Sequence, residues 1–285
     1  MSVTHLVVKF KNRRKIVYHQ RYLFKITAQS MLIADKYTEK YVVFLDLLGF
    51  KTRVKDADTN PEARQELLYA LDIIRDSLCN YDRIGMRITH FSDCIIISAN
   101  RTPEGLWEIL ESVNLLTINL LQEDFFVRGG MAVGGIHHDQ EFVYGLAINK
   151  AYKIESEIAT YPMTLVSCDV VADVKKNGSK FEDFLITDED GCYFVHYLKI
   201  FSNYTQLPLY AGKLVLDEPG RRIIDFICHR LNTHTDLDLL EKNIWVQNYW
   251  NNTVAIRGVF SRIEAGITKR DLGHGPFRAL RRIAG

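Results

Sequence analysis

No apolar run in the 285 residues approaches the roughly 18 that a membrane-spanning helix needs, and the basic N-terminus lacks the apolar stretch of a secretory signal. A cytoplasmic protein is expected, with no membrane partner. Cysteine is sparse. Cys79, Cys94, Cys168, Cys192 and Cys228 are odd in number, scattered and never in CxxC spacing, which excludes a disulfide framework or zinc site and reads as reduced core thiols. Net charge is nearly absent: 36 basic residues against 35 acidic ones give +1, too little for a global field that would gather nucleic acid. Acidic residues are missing altogether before Asp35, where KFKNRRK (9 to 15), Arg21 and Lys25 stand. That stretch is either an ordinary solvated basic face or an attractor of a polyanionic ligand. Internal repeats, low-complexity tracts and flexible linkers are lacking too. What remains is 47% hydrophobic and 25% charged, a globular chain able to bury a core.

Periodicity predicts a strand at 41 to 47, a helix over 61 to 81 and a hairpin at 86 to 98 bent at Ser92 and Asp93. A helix over 103 to 122, opened by Pro103, follows, then a strand over 125 to 136. A short strand near Phe142 and a helix over 146 to 158 complete a βαββαβ core, an α+β architecture. His137 and His138 read as a hairpin tip rather than a metal site. The expected division is a basic extension at 1 to 40, a central domain at 41 to 214 and a helical extension at 215 to 285.

Within YVVFLDLLGF (41 to 50), Asp46 sits in an apolar strand, where an ionised carboxylate is costly unless something compensates it. Asp93 raises the same question at the bend of FSDCIII, although Asp is common in turns. In a βαββαβ sheet the first strand and the hairpin can be adjacent, which would put both carboxylates at one edge. A divalent cation would then offset both desolvation costs, and hard oxygen ligands suit Mg2+ or Mn2+. Directly after Asp46, Gly49 permits a tight turn from strand toward helix that leaves backbone N–H groups pointing outward; such a turn can hold phosphate oxygens, with Lys51 adding charge.

These residues together resemble the class III nucleotidyl cyclases. The family's F-x-D-h-x-G-F strand, h being apolar, is matched from Phe44 through Asp46, Leu47 and Gly49 to Phe50, and its hairpin aspartate by Asp93. Its R-x-G-x-x-x-G strand is matched by Arg128, Gly130 and Gly134, and its G-x-x-x-N-x-A helix start by Gly145, Asn149 and Ala151. The four motifs run in order over about residues 41 to 170. The resemblance implies two metal ions held by Asp46, Asp93 and the main chain of Leu47, and a triphosphate at Gly49, Phe50 and Lys51. It implies Asn149 on the ribose and attack of the 3′ oxygen on the α-phosphorus. It also implies a homodimer with shared active sites, because the metal cluster and the later helix face each other only between subunits.

Departures narrow the expectation. Lys153 stands where the family carries a transition-state arginine, and 186 to 200 holds no recognisable phosphate-binding lysine loop. At the two base-reading positions stand Thr89 and Phe142, with Arg87 on the face of Thr89; a large Phe142 favours a smaller base, while core packing is the other reading of that residue. The combination is similar to the pyrimidine cyclases of bacterial Pycsar antiphage defence, which make cyclic UMP or cyclic CMP for a separate effector. Purine cyclisation, or a degenerate domain that binds nucleotide without turnover, are the rival expectations. A diguanylate cyclase or polymerase palm shares the core order but not the hairpin, which reads FSDC rather than GGDEF.

Overall fold

A computed structural model describes residues 38–78, 85–202, 217–233, 236–255 and 260–264. The basic stretch at 9 to 15, Arg21, Lys25, Cys79 and residues 265 to 285 lie outside these residues. The architecture is α+β, an eight-stranded mixed sheet with helices on both faces.

Strand β1, Thr38–Leu48, is central, and its composition follows from that place. Tyr41, Val43, Leu45 and Leu47 point into one core, Val42 into the other, and Phe44, Asp46 and Leu48 are half-buried on the same face as Val42. A strand covered on both sides needs a nearly unbroken apolar run rather than strict alternation. Beside it lies the hairpin β2, Arg87–Phe91, and β3, Cys94–Asn100; on its other edge lies β4, Phe126–His138, all antiparallel. Three-residue strands extend the sheet: β5, Val143–Gly145, pairs with β4, and β6, Thr164–Val166, runs parallel to it. Beyond β6 come β7, Leu185–Thr187, and β8, Tyr193–Val195, giving the order β2-β3-β1-β4-β6-β8-β7 with β5 to one side.

Helices α1 (Phe50–Thr59), α2 (Pro61–Leu78) and α3 (Pro103–Gln122) connect the first strands. Pro103 begins α3 as expected, and the Thr102 hydroxyl caps it by accepting from the Gly105 N–H at 3.1 Å. Helix α4, Leu146–Lys153, passes into a π turn at Ile154–Ile158. Later come α5 (Cys168–Asn177), α6 (Ser179–Glu182), α7 (Lys199–Ser202), α8 (Asp217–Thr233) and α9 (Leu237–Thr253). The face of Val43 and Leu45 packs α2, α3 and α5, while the face of Val42 packs α4, α8 and α9 through Ala151, Phe226, Ile227 and Trp250. The C-terminal helices therefore close the sheet's second core.

Two expectations are corrected. His137 and His138 are not a hairpin tip: they end β4, pair with Tyr144 and Val143 and are buried, and the tip lies at 139 to 142. Of the four cysteines among the described residues, Cys168 is exposed and so is no core thiol, while Cys94, Cys192 and Cys228 are half-buried, the last two against the second core. Gly49 turns toward a helix as expected, but the extent of α1 was not foreseen, because KTRVKDADT presents no apolar period to read.

Candidate functional site

Two antiparallel pairings bring the predicted carboxylates together. Asp46, near the end of β1, lies opposite Cys94 on β3 and Arg128 on β4. At the β2–β3 bend Ser92 takes a left-handed φ of 56°, and the Asp93 carbonyl accepts the Leu47 N–H at 2.9 Å. That bond ties the hairpin tip to β1. Ligand atoms of Asp46, Asp93 and Cys94 consequently lie within 4.8 Å of one another.

The electrostatics of this cluster are unfavourable without a cation. Burial raises the Asp46 carboxyl above the usual range, Arg128 opposes that, and Asp93 adds to it. Burial, then Asp93 and Asp46, push the Cys94 thiol up to about 12, so it stays a protonated thiol that donates to Asp93 Oδ1 at 3.6 Å. With the thiol protonated, the donor set is two carboxylates, which fits Mg2+ or Mn2+ better than a thiophilic metal. The side chain of Leu47 is buried in the core, leaving only its main chain to face a metal.

Gly49, at φ +80°, turns the chain from β1 into α1. An added Cβ would meet nothing within 4 Å there, so glycine is needed for conformation rather than space. No side chain caps α1, and since the Thr52 and Arg53 amides bond the Gly49 carbonyl, those of Phe50 and Lys51 are the ones at this end that could meet an anion. Lys51 is exposed at this end; Phe50 is buried and anchors the helix.

No family model matches the chain, and no curated protein matches it. Similar solved structures include a monomeric guanylyl cyclase domain of a fusion protein from the aquatic fungus Blastocladiella emersonii, 14% identical over 56% of this chain and 95% of that one, with a TM-score of 0.37. An adenylate/guanylate cyclase/hydrolase from Silicibacter pomeroyi is 17% identical over 55% of this chain and 94% of that one, with a TM-score of 0.36. A class III adenylyl cyclase-like ATP-binding protein from Pseudomonas aeruginosa is 12% identical over 48% of this chain, with a TM-score of 0.35. This chain spans 34% of that protein's length.

The remaining predicted residues are more dispersed. Thr89 lies on the sheet face of Asp46, and its hydroxyl is 3.0 Å from His138 Nε2, while His138 Nδ1 is 2.8 Å from Ser98 Oγ. Arg87, on the same face of β2, is exposed. Phe142 is 56% exposed at the β4–β5 tip, where Asp139 accepts the N–H groups of Glu141 and Phe142, so it is not core packing. Asn149 and Lys153 lie one turn apart on the exposed side of α4, and Lys153 pairs loosely with Glu157 at 3.8 Å.

Glu155 was not foreseen. Its carboxylate is buried and accepts from Arg128 Nε at 2.7 Å, and Arg128 Nη2 lies 3.4 Å from Asp46 Oδ2. A signal existed: Ala147, Ala151 and Glu155 recur at four on the buried side of the helical stretch, opposite Asn149 and Lys153.

Proposed function

We propose that the protein is a nucleotidyl cyclase of the class III kind, converting a nucleoside triphosphate to its 3′,5′-cyclic monophosphate and pyrophosphate. The observation that carries this reading is the meeting of Asp46 and Asp93 across β1 and β3, beside the uncapped start of α1. The motifs around them supply the order in which the remaining residues act.

Asp46 and Asp93 hold the metal, with the main chain of Leu47. Divalent cations bound there neutralise the paired carboxylates and make the ribose 3′-hydroxyl more acidic. The amides at Gly49 and Phe50, with Lys51, bind the triphosphate. Asn149 orients the ribose, and Lys153 meets charge developing on the phosphorus as a point charge without arginine's fork. The 3′-hydroxyl gives up its proton to water, its oxygen bonds to the α-phosphorus, the bond from that phosphorus to the bridging oxygen breaks, and pyrophosphate leaves. Asn149 and Lys153 face solvent, so a second copy of the chain presents them, making a homodimer with shared sites. Exposed Phe91, Phe142, Tyr144, Leu146 and Tyr152 support an apolar interface there. Residues 41 to 214 carry the chemistry, and helices α8 and α9 brace the sheet.

For the base, the reading rests on sequence position: Thr89 and Phe142 stand where purine cyclases carry their base-reading residues, and a pyrimidine, UTP or CTP, is the proposed substrate. The product would then be a cyclic pyrimidine messenger read by a separate cytoplasmic effector of antiphage defence. No helix among the described residues is long and apolar enough to cross a membrane. The test incubates the purified protein with each of the four ribonucleoside triphosphates and Mn2+, and identifies products by mass. Cyclic UMP or CMP is expected, at least about tenfold above the purine products, the scale that size exclusion gives. Cyclic AMP or GMP as the main product keeps the cyclase and removes the pyrimidine reading. Asp46→Asn and Asp93→Asn should each lose activity while staying folded; a variant within tenfold of wild type, about 1.4 kcal/mol of barrier, would show that its residue holds no metal.

A further inference from the structure

Arg128 is the direct cross-strand partner of Asp46 in the β1–β4 ladder. Side chains so placed stand about 5 Å apart at Cβ, and an arginine facing a carboxylate closes on it as a two-pronged fork. Here it does not. Only Nη2 reaches Asp46, at 3.4 Å, the outer edge of hydrogen bonding. The fork is turned instead onto Glu155, whose Oε1 accepts from Nε at 2.7 Å and also bonds Nη2.

The backbone is shaped around this contact. Glu155 lies in the π turn that follows α4, where the extra residue per turn departs from the i, i+4 ladder. Gly130 lets that turn settle on β4: a Cβ there would stand 2.2 Å from the Ala151 carbonyl oxygen, 2.8 Å from Ile154 Cβ and 3.0 Å from the Glu155 nitrogen. The Glu155 side chain is 4% exposed, against 25% for Arg128 and 21% for Asp46. A carboxylate buried more deeply than either neighbour is expensive, and the arginine is the partner that offsets this cost.

An arginine forked onto Asp46 would occupy the oxygens a cation needs. We propose that Glu155 is a positioning residue that holds Arg128 off Asp46, keeping that carboxylate open to a divalent cation. The proposal rests on the reading of Asp46 and Asp93 as a metal site. Loss of such an outer partner typically weakens metal binding by about 10 to 100-fold.

The test measures Mn2+ binding to the metal-free protein directly, by the loss of the free-ion electron paramagnetic resonance signal, with no substrate present. Wild type should bind saturably. Glu155→Gln should bind about tenfold more weakly, and so should Glu155→Asp, which keeps the charge but shortens the reach to Arg128. Adding Arg128→Met to Glu155→Gln should restore affinity to within about threefold of wild type, because no competing guanidinium remains. Should a single variant fail to fold, Glu155→Gln/Arg128→Met is compared with Glu155→Gln/Arg128→Lys, and the lysine form should be the weaker binder. If Glu155→Asp binds like wild type, or the methionine brings no recovery, or the two double variants bind equally, the proposal is overturned while the metal site stands. Absence of saturable binding by wild type removes the proposal and the metal site together.

Discussion

Asp46 is only half compensated by the protein itself. Arg128 touches it at the limit of hydrogen bonding and spends its fork on Glu155, while Asp93 adds a second negative charge within ligand range. Three carboxylates to one guanidinium is an arrangement that favours a bound cation over a closed ion-pair network. On the same sheet face His138 makes the opposite compromise. Burial first, then Lys40 and Arg87, lower its pKa to about 4, so it is a neutral bridge between Ser98 and Thr89. The unfolded chain takes up this proton near 6.5, and the folded one only near 4. Between those values the unfolded state binds more protons, so His138 supports folding above about 6.5 and loses that support as pH falls through about 4. Urea midpoints should therefore drop between pH 7 and pH 4.5, and the drop should be smaller in His138→Gln. Parallel profiles for the two proteins would show that His138 titrates normally.

At the scale of the elements, the helix-to-sheet contact at Gly130 decides where the site's outer residues sit. Gly130→Ala forces the Ala151 carbonyl and the π turn off β4, and overpacking of this kind costs about 1 to 3 kcal/mol. Urea unfolding should show that loss, with a weakened contact between Arg128 and Glu155; an unchanged midpoint would mean that α4 shifts freely on the sheet. The elements legible in the sequence were those with a period to read. The β2–β3 hairpin bends at Ser92 and Asp93 as expected, and α3 runs over the expected 103 to 122. The extent of α1 escaped because its charged residues carry no apolar stripe, and β6, β7 and β8 escaped because three residues are too few to show alternation. Their strand identity comes from pairing with distant partners, such as Leu165 with Phe194. Glu155 escaped for a different reason: a glutamate on a helix is ordinarily solvated, which outweighs its spacing from Ala147 and Ala151, and the π turn and the bare Gly130 are what seat it in the interior.

The whole molecule leaves its proposed chemistry divided. Asp46, Asp93 and the start of α1 form one cluster on the sheet, whereas Asn149 and Lys153 present themselves to solvent from α4. Phe91 at 79% exposure and Leu146 at 65% are apolar surfaces that a monomer would leave in water. A twofold pairing that covers them and turns α4 of each copy toward the carboxylates of the other would complete two sites at once, since a closed symmetric dimer repeats every contact. Mixing Asp46→Asn with Asn149→Ala, each inactive alone, tests that division. After subunit exchange about half the dimers are mixed, and each mixed dimer holds one intact site and one carrying both substitutions. Activity should return to roughly a quarter of wild type at equal total protein, by the same pairing. Recovery requires the two clusters to meet between chains; no recovery after exchange has been demonstrated by mass would place both within one chain and leave the apolar surface to another role.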